Sequence, residues 1–202
     1  MIRSCKLLLG SFIVLLTTVS MTACDNLSRD KHQFHYTDIA GANFARDFDL
    51  ISQNGERVTL SSFQGKIAII FFGFTNCPDV CPTTLLEFSR THELLGAKSD
   101  QIQVLFVTVD PERDTPERLK TYMQAFHPSF LALSGSIDQI NAVTKEFKII
   151  HQKVKGSSEG VYSIDHSAGS YVFDKNGRVR LFVPYGAEPQ KLAEDILQLI
   201  ES

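Results

Sequence analysis

The 202-residue chain has no tryptophan, only three methionines and only four cysteines. It has no excess of positive charge either. Twenty lysines and arginines stand against 23 acids, for a formal net charge of −3. With no basic patch, nucleic acid is a poor candidate for a partner. Glycine and proline are modest at 12 and 7, and 43% of residues are hydrophobic. A collagen-like, low-complexity or wholly disordered chain is therefore excluded. No internal repeat or second domain is discernible, and the length suits one domain with an appendage. Four cysteines outside a reducing compartment suggest two disulfides, but the surroundings of Cys5, Cys24, Cys77 and Cys81 divide them.

The first 23 residues contain no acid. Arg3 and Lys6 come first, and an uncharged run from Leu7 to Ala23 follows. A basic start, a short apolar stretch and a small-residue end make a secretory signal peptide over residues 1–23. Met21-Thr22-Ala23-Cys24 resembles the end of a bacterial lipoprotein signal, in which Cys24 is acylated after cleavage. An uncleaved membrane anchor is the alternative. Both put the rest of the chain outside the cytoplasm on a membrane tether. The lipoprotein resemblance further implies, through Asp25, retention at the periplasmic side of the inner membrane. Loss of residues 1–23 removes Cys5 and leaves 18 basic against 23 acidic residues, formally −5. Residues 24–46 are polar and mixed and read as a flexible, lipid-anchored linker, with His32 and His35 solvated. Residues 47–202 read as the folded domain.

Within that domain, Phe48–Leu50 and Val58–Leu60 flank Asn54-Gly55, a hairpin signal. Ile67–Phe74 is a continuous apolar run, as in a strand buried on both faces. A helix is expected over Pro82–Leu95 and a second buried strand over Val104–Val109. Helices follow from Thr115 to about Phe126 and, after the Ser136/Gln139 capping box, to about Phe147. Tyr171–Phe173 and Val179–Val183 form a second hairpin signal, and Pro189–Ile200 an amphipathic closing helix. This is the order of a thioredoxin-like α/β fold: a central mixed sheet flanked by helices, here with an N-terminal β-hairpin extension.

The chemistry concentrates in Gly73-Phe74-Thr75-Asn76-Cys77-Pro78-Asp79-Val80-Cys81-Pro82. Both cysteines lie where a strand gives way to a helix, and the helix terminus favours a thiolate there. At spacing i, i+4 they are expected on one helix face. Two thiolates without a second pair are too few for a tetrahedral zinc site. Soft thiolates select Cu(I), and an added imidazole makes Cu(II) tolerable. A structural disulfide and two inert buried thiols are the bland alternatives. His166, in Asp165-His166-Ser167 just before the Tyr171 strand, is the histidine whose loop should face the cysteines; by position alone, a metal ligand and an ordinary loop histidine are equally open readings. Asp165 is a candidate for orienting it. His92, His127 and His151 read as surface residues.

Three blocks together resemble the SCO/SenC family: Gly73 to Thr84, Val109-Asp110-Pro111-Glu112-Arg113-Asp114-Thr115-Pro116, and Asp165-His166-Ser167 followed by Tyr171. The resemblance covers about Phe48 to Ile200. It implies a membrane-tethered copper metallochaperone whose ligands are Cys77, Cys81 and His166. It also implies delivery of copper to, or preparation of, the dinuclear copper centre of cytochrome c oxidase. The implied partners are a copper donor and the oxidase's copper-bearing subunit. Asp110, Arg113 and Asp114 belong to the second block. Capping and salt bridging is the preferred reading for them, with a supporting role for Asp110 at the metal as the alternative. Cys77 and Cys81 also permit a thiol–disulfide reductase, needing only the dithiol and a reductant. No proline lies between Val161 and Ser170, where a redox thioredoxin has its cis-proline. Thr75 and Cys77 are one residue too close for a peroxiredoxin.

Overall fold

A run of residues that is apolar on both alternating sets demands cover on two faces, and Ile67–Gly73 has it: all seven residues are buried. The computed structural model describes residues 33–157 and 161–202. Residues 1–32, with the expected signal peptide, Cys5, Cys24 and His32, lie outside the described residues. In chain order the strands and helices are β1 (Thr37–Asp38), β2 (Asp49–Ser52), β3 (Arg57–Thr59), β4 (Ile67–Gly73), α1 (Val80–Leu95), β5 (Ile102–Thr108), α2 (Pro116–Gln124), β6 (Leu131–Ser134), α3 (Ile137–Glu146), β7 (His151–Lys155), β8 (Tyr162–His166), β9 (Ser170–Phe173), β10 (Val179–Val183) and α4 (Pro189–Glu201).

Eight strands form one mixed sheet in the order β1-β10-β9-β4-β5-β6-β2-β3. The neighbours β4, β5 and β6 are parallel, and the outer pairings are antiparallel. Period-two alternation sorts the strand side chains between two apolar layers. Ile67, Ile69 and Phe71 pack with Leu85 and Phe88 of α1, Leu119 and Met123 of α2, and Leu192 and Ile196 of α4. Ala68, Ile70 and Phe72 face the opposite layer with Ile140 and Val143 of α3, Phe147 just beyond it, and Leu50 and Val58 of the first hairpin. The architecture is the expected thioredoxin-like one, with the β2–β3 hairpin extending the sheet beyond β6. Its turn uses Gly55 at φ +84°, a left-handed backbone that glycine adopts without steric cost. The Ser136/Gln139 capping box forms at the start of α3, and Thr115 accepts Arg118 N–H to cap α2.

Three elements differ from the expectation. The folded unit begins at Phe34 rather than near residue 47. β1 pairs with β10, Ala45 is buried, and the buried carboxylate of Asp195 in α4 accepts the N–H groups of His35 (2.9 Å) and Tyr36 (3.0 Å). All of these partners lie more than 90 residues away, so no local pattern in 24–46 announces them. Strand β6, four residues long, separates the two middle helices. It is too short for periodicity and exists through its ladders with β5 and β2. Finally, β7 and β8 form a separate two-stranded sheet, so His166 ends a strand instead of sitting in a loop. Among the described residues no helix is long and apolar enough to cross a membrane.

Replacing Asp195 by Ala leaves two backbone donors of the N-terminal strap without their acceptor. The expected loss is about 1–3 kcal/mol, with faster proteolysis between residues 33 and 46. An unchanged urea midpoint and cleavage rate would show that the strap is not held there.

Candidate metal centre

Strand β4 ends at Gly73, and the chain must turn before α1 begins at Val80. The approach at Gly73 is close. A Cβ there would lie 2.8 Å from Cys81 Sγ and 2.7 Å from the Phe106 ring, so only glycine lets the sulfur sit against the strand end. The turn is pinned from outside by Asp114, itself buried. Its carboxylate accepts Thr75 N–H (3.1 Å), the Thr75 hydroxyl (2.6 Å) and the Thr108 hydroxyl (2.6 Å). Arg118 donates to the Asn76 side chain from the other side.

The two cysteines are not equivalent. Only Cys81 belongs to the helix, in its first turn, and it is fully buried. Cys77 precedes the helix and is half-buried, so the expected shared helix face does not arise. Instead, Cys77 Sγ lies beyond the helix N-terminus and accepts the Cys81 N–H at 3.4 Å. Asp79, at the N-cap position, makes no side-chain cap bond. The sulfur thus takes up one of the donors that a helix terminus leaves unpaired. Both thiols are free, with no disulfide between them.

This placement separates their acidities. The Cys77 thiol is lowered to about 4, first by its hydrogen bond with Cys81, then by His166 and the N–H groups of Asp79 and Cys81, against the opposing effect of burial. Cys81 is pushed up by the same thiol–thiol hydrogen bond and by burial. These are two views of one coupled pair. At neutral pH it carries a thiolate on the more accessible sulfur and a thiol on the buried one.

His166 completes the group. Its Nε2 is 3.6 Å from Cys81 Sγ, and the three ligand atoms all lie within 4.8 Å of one another. Among the described residues no other group of three or more His, Cys, Asp or Glu side chains converges in this way. His166 Nδ1 is 2.9 Å from the Ser167 carbonyl. A carbonyl only accepts, so Nδ1 carries a proton, and Nε2 is the ring nitrogen turned to the sulfurs. Phe74 and Phe71 hold the ring edge-on, at centroid distances of 5.9 and 6.3 Å. Two soft thiolates and one imidazole fit a copper ion.

The expected supporting residues fall differently. Asp165 is exposed and, by strand alternation, points away from the face that carries His166. The acceptor that orients the imidazole is the Ser167 carbonyl. Asp110 is buried in an ion pair with Arg113 and accepts the Tyr162 hydroxyl at 2.8 Å. Burial first, then that hydrogen bond, pushes the Tyr162 phenol up to about 12. Asp110 therefore braces the β7–β8 hairpin, as the capping and salt-bridging reading expects. Asp114 and Ser167 were not singled out for the site. The Asp-x-x-x-Asp spacing within the second block was the available signal for Asp114. His151 is the cross-strand partner of His166, but its Nε2 meets Thr144 Oγ1 at 3.3 Å. His92 and His127 stack on each other, with centroids 4.0 Å apart. His35 pairs with Glu194.

Comparison with known proteins gives a consistent result. The sequence profile of a family described as SCO1/SenC matches residues 37–201. An SCO2-like protein of Rickettsia felis is 40% identical over 149 residues, 73% of each chain. The structure of Bradyrhizobium japonicum ScoI with copper bound superposes with a TM-score of 0.72 at 38% identity, covering 77% of this chain and 99% of that one. Apo Sco1 of Thermus thermophilus gives a TM-score of 0.68 at 42% identity, covering 85% and 95%.

Since folding lowers the Cys77 pKa, its thiolate stabilises the fold above the unfolded thiol's range. That contribution fades as pH falls toward 4. Alkylation supplies the direct measurement. Iodoacetamide should modify Cys77 at nearly the same rate at pH 6 and pH 8, whereas an ordinary thiol slows about 100-fold over that interval. Cys81 should stay unmodified in the folded protein. A Cys77 rate that titrates near pH 8–9 would contradict the assignment. Gly73→Ala should displace the Cys81 sulfur, read as faster Cys81 alkylation.

Proposed function

The chain belongs to the SCO1/SenC family, and on that premise we propose that it binds copper through Cys77, Cys81 and His166. Its task is to deliver that copper to, or prepare, the dinuclear copper centre of cytochrome c oxidase. The observation that carries the reading is the convergence of two sulfurs and an imidazole whose Nδ1 is held by the Ser167 carbonyl at the end of β4. The copper-bound state of the Bradyrhizobium relative supports the choice of metal. The oxidase follows from the family resemblance. The signal segment and Cys24 support a membrane-tethered domain on the periplasmic side of the inner membrane. The domain division is then signal peptide 1–23, tether from Cys24 and folded copper-binding unit from Phe34.

The chain's residues divide the work. Bound copper supplies the charge that the two thiolates balance. Cys77, already a thiolate, offers the accessible first contact. Cys81 must give up its proton as metal arrives, because only a thiolate is a ligand. The buried position raises the cost of that charge without metal, so binding and deprotonation are coupled. Gly73 and Phe74 crowd the inner side, leaving the half-buried Cys77 side open for transfer to a partner ligand.

The thiol asymmetry favours one second reading, a thiol–disulfide reductase. Cys77 thiolate would attack a partner disulfide and release one partner sulfur as thiolate. Cys81, on losing its proton, would displace the other. A Cys77–Cys81 disulfide and a reduced partner result, and an external thiol reductant restores the pair. Reduction of the oxidase's copper-ligand cysteines is the corresponding role.

Titration with Cu(I) and Cu(II), with thiol state tracked, separates the two. Cys77→Ala and Cys81→Ala should each abolish tight binding of both ions. His166→Ala should weaken Cu(II) binding by at least about tenfold while sparing reduction of a disulfide partner. Unchanged binding of both ions in His166→Ala would sink the three-ligand site. A dithiol that never cycles with a partner disulfide would sink the reductase.

A further inference from the structure

The segment between β5 and α2 touches both halves of the centre. At one end, Asp114 holds Thr75 of the cysteine loop. At the other, Asp110 and Arg113 hold Tyr162 at the start of β8. Tyr162 donates to Asp110 Oδ1 at 2.8 Å, and Arg113 Nη1 donates to the Tyr162 carbonyl at 3.0 Å. The Arg113 guanidinium lies 3.6 Å from the Tyr162 ring centroid. Its Nη2 is buried and finds no acceptor among the described residues. This cation is thus held against the ring by the Asp110 pair and the carbonyl rather than by a full set of bonds.

Tyr162, Ile164 and His166 share one face of β8. They act as clamp, apolar plug and candidate ligand in succession, with Ile164 buried. The β7–β8 pair has no ladder to the main sheet. Its position rests on this clamp, on Ile164, on the exposed Lys153–Glu112 pair, on the Ile150/Ser167 hydrogen bonds at its base, on the His151–Thr144 contact and on the Phe71 and Phe74 rings against His166. The exposed pair contributes little.

We infer that Arg113 is a positioning residue. Acting through Tyr162, it sets where His166 stands relative to the two sulfurs, so that the Asp110–Asp114 segment spans the centre and fixes its width. The inference rests on the copper reading. Two thiolates alone satisfy Cu(I), whereas Cu(II) depends on the imidazole. Loosening the clamp therefore penalises Cu(II) selectively.

The test uses the full-length protein as wild type, Arg113→Ala, Arg113→Lys, Tyr162→Phe, His166→Ala and the Arg113→Ala/His166→Ala double variant. Arg113→Ala should weaken Cu(II) binding about ten- to a hundredfold, change the nitrogen hyperfine coupling of the Cu(II) spectrum, and alter Cu(I) binding by less than about threefold. Lysine, lacking the planar fork, should not restore the spectrum. The double variant should lose no more Cu(II) affinity than His166→Ala alone. Tyr162→Phe removes a single hydroxyl and should shift Cu(II) in the same direction, which keeps the test decisive if Arg113→Ala fails to fold. In metal-free protein, β8 amides should exchange faster in Arg113→Ala while β4 amides stay unchanged.

Wild-type Cu(II) affinity and nitrogen coupling in the folded variants would overturn the inference, as would equal losses for both ions. A wild-type protein that binds no copper would overturn the copper reading. The metal-free exchange comparison would still decide whether Arg113 places the hairpin, and unchanged β8 exchange would deny it.

Discussion

The carboxylate of Asp114 is 2% exposed, and among the described residues no lysine or arginine pairs with it. A charge buried that far must be met by hydrogen-bond donors. Its donors come from two places: Thr75, on the loop that carries the cysteines, and Thr108, at the end of β5. Satisfying one anion therefore joins the ends of two parallel strands. The cysteine loop acquires its shape from this junction, α1 begins where that shape allows, and the sulfurs are presented accordingly. The same segment reaches the hairpin through Asp110 and Arg113. The site is held together by buried polar contacts at one end of an otherwise apolar sheet, where a lost partner costs more than a lost surface pair.

The unequal cysteines follow from a short stretch of backbone. One residue more than the usual redox spacing places Cys77 beyond the helix terminus instead of on the helix. There its sulfur meets amide donors, while Cys81 remains in an apolar wall beside Phe106 and Gly73. An accessible, acidic thiol beside a buried, reluctant one suits both of the proposed chemistries. For a metal it makes entry sequential. For a disulfide it separates attack from resolution. Both uses require the reduced pair, so they are compatible in one protein.

Much of this was legible in the sequence. The all-apolar 67–74 run reads as a doubly covered strand and is one, and the Asn-Gly and Ser136/Gln139 signals each formed as local chemistry dictates. Cys77, Cys81 and His166 were identified by motif, and the structure brings them together. What escaped was non-local. Strand β6 has four residues and no pattern of its own. The strap at 34–46 gains its order from Asp195, at the far end of the chain. Asp165 was the plausible orienting group by adjacency, yet alternation along β8 turns it outward and leaves the work to a backbone carbonyl. A main-chain acceptor leaves no signature in residue identity.

The strap has a mechanical consequence. A pull on the N-terminal end of the described fold would load the packing of Phe34, the two N–H bonds to Asp195 and the β1–β10 ladder at the sheet edge. The metal centre lies farther in, at the ends of β4 and β9, with β10 interposed. Force applied at this end would meet an edge strand before it met the strand that leads into the cysteine loop.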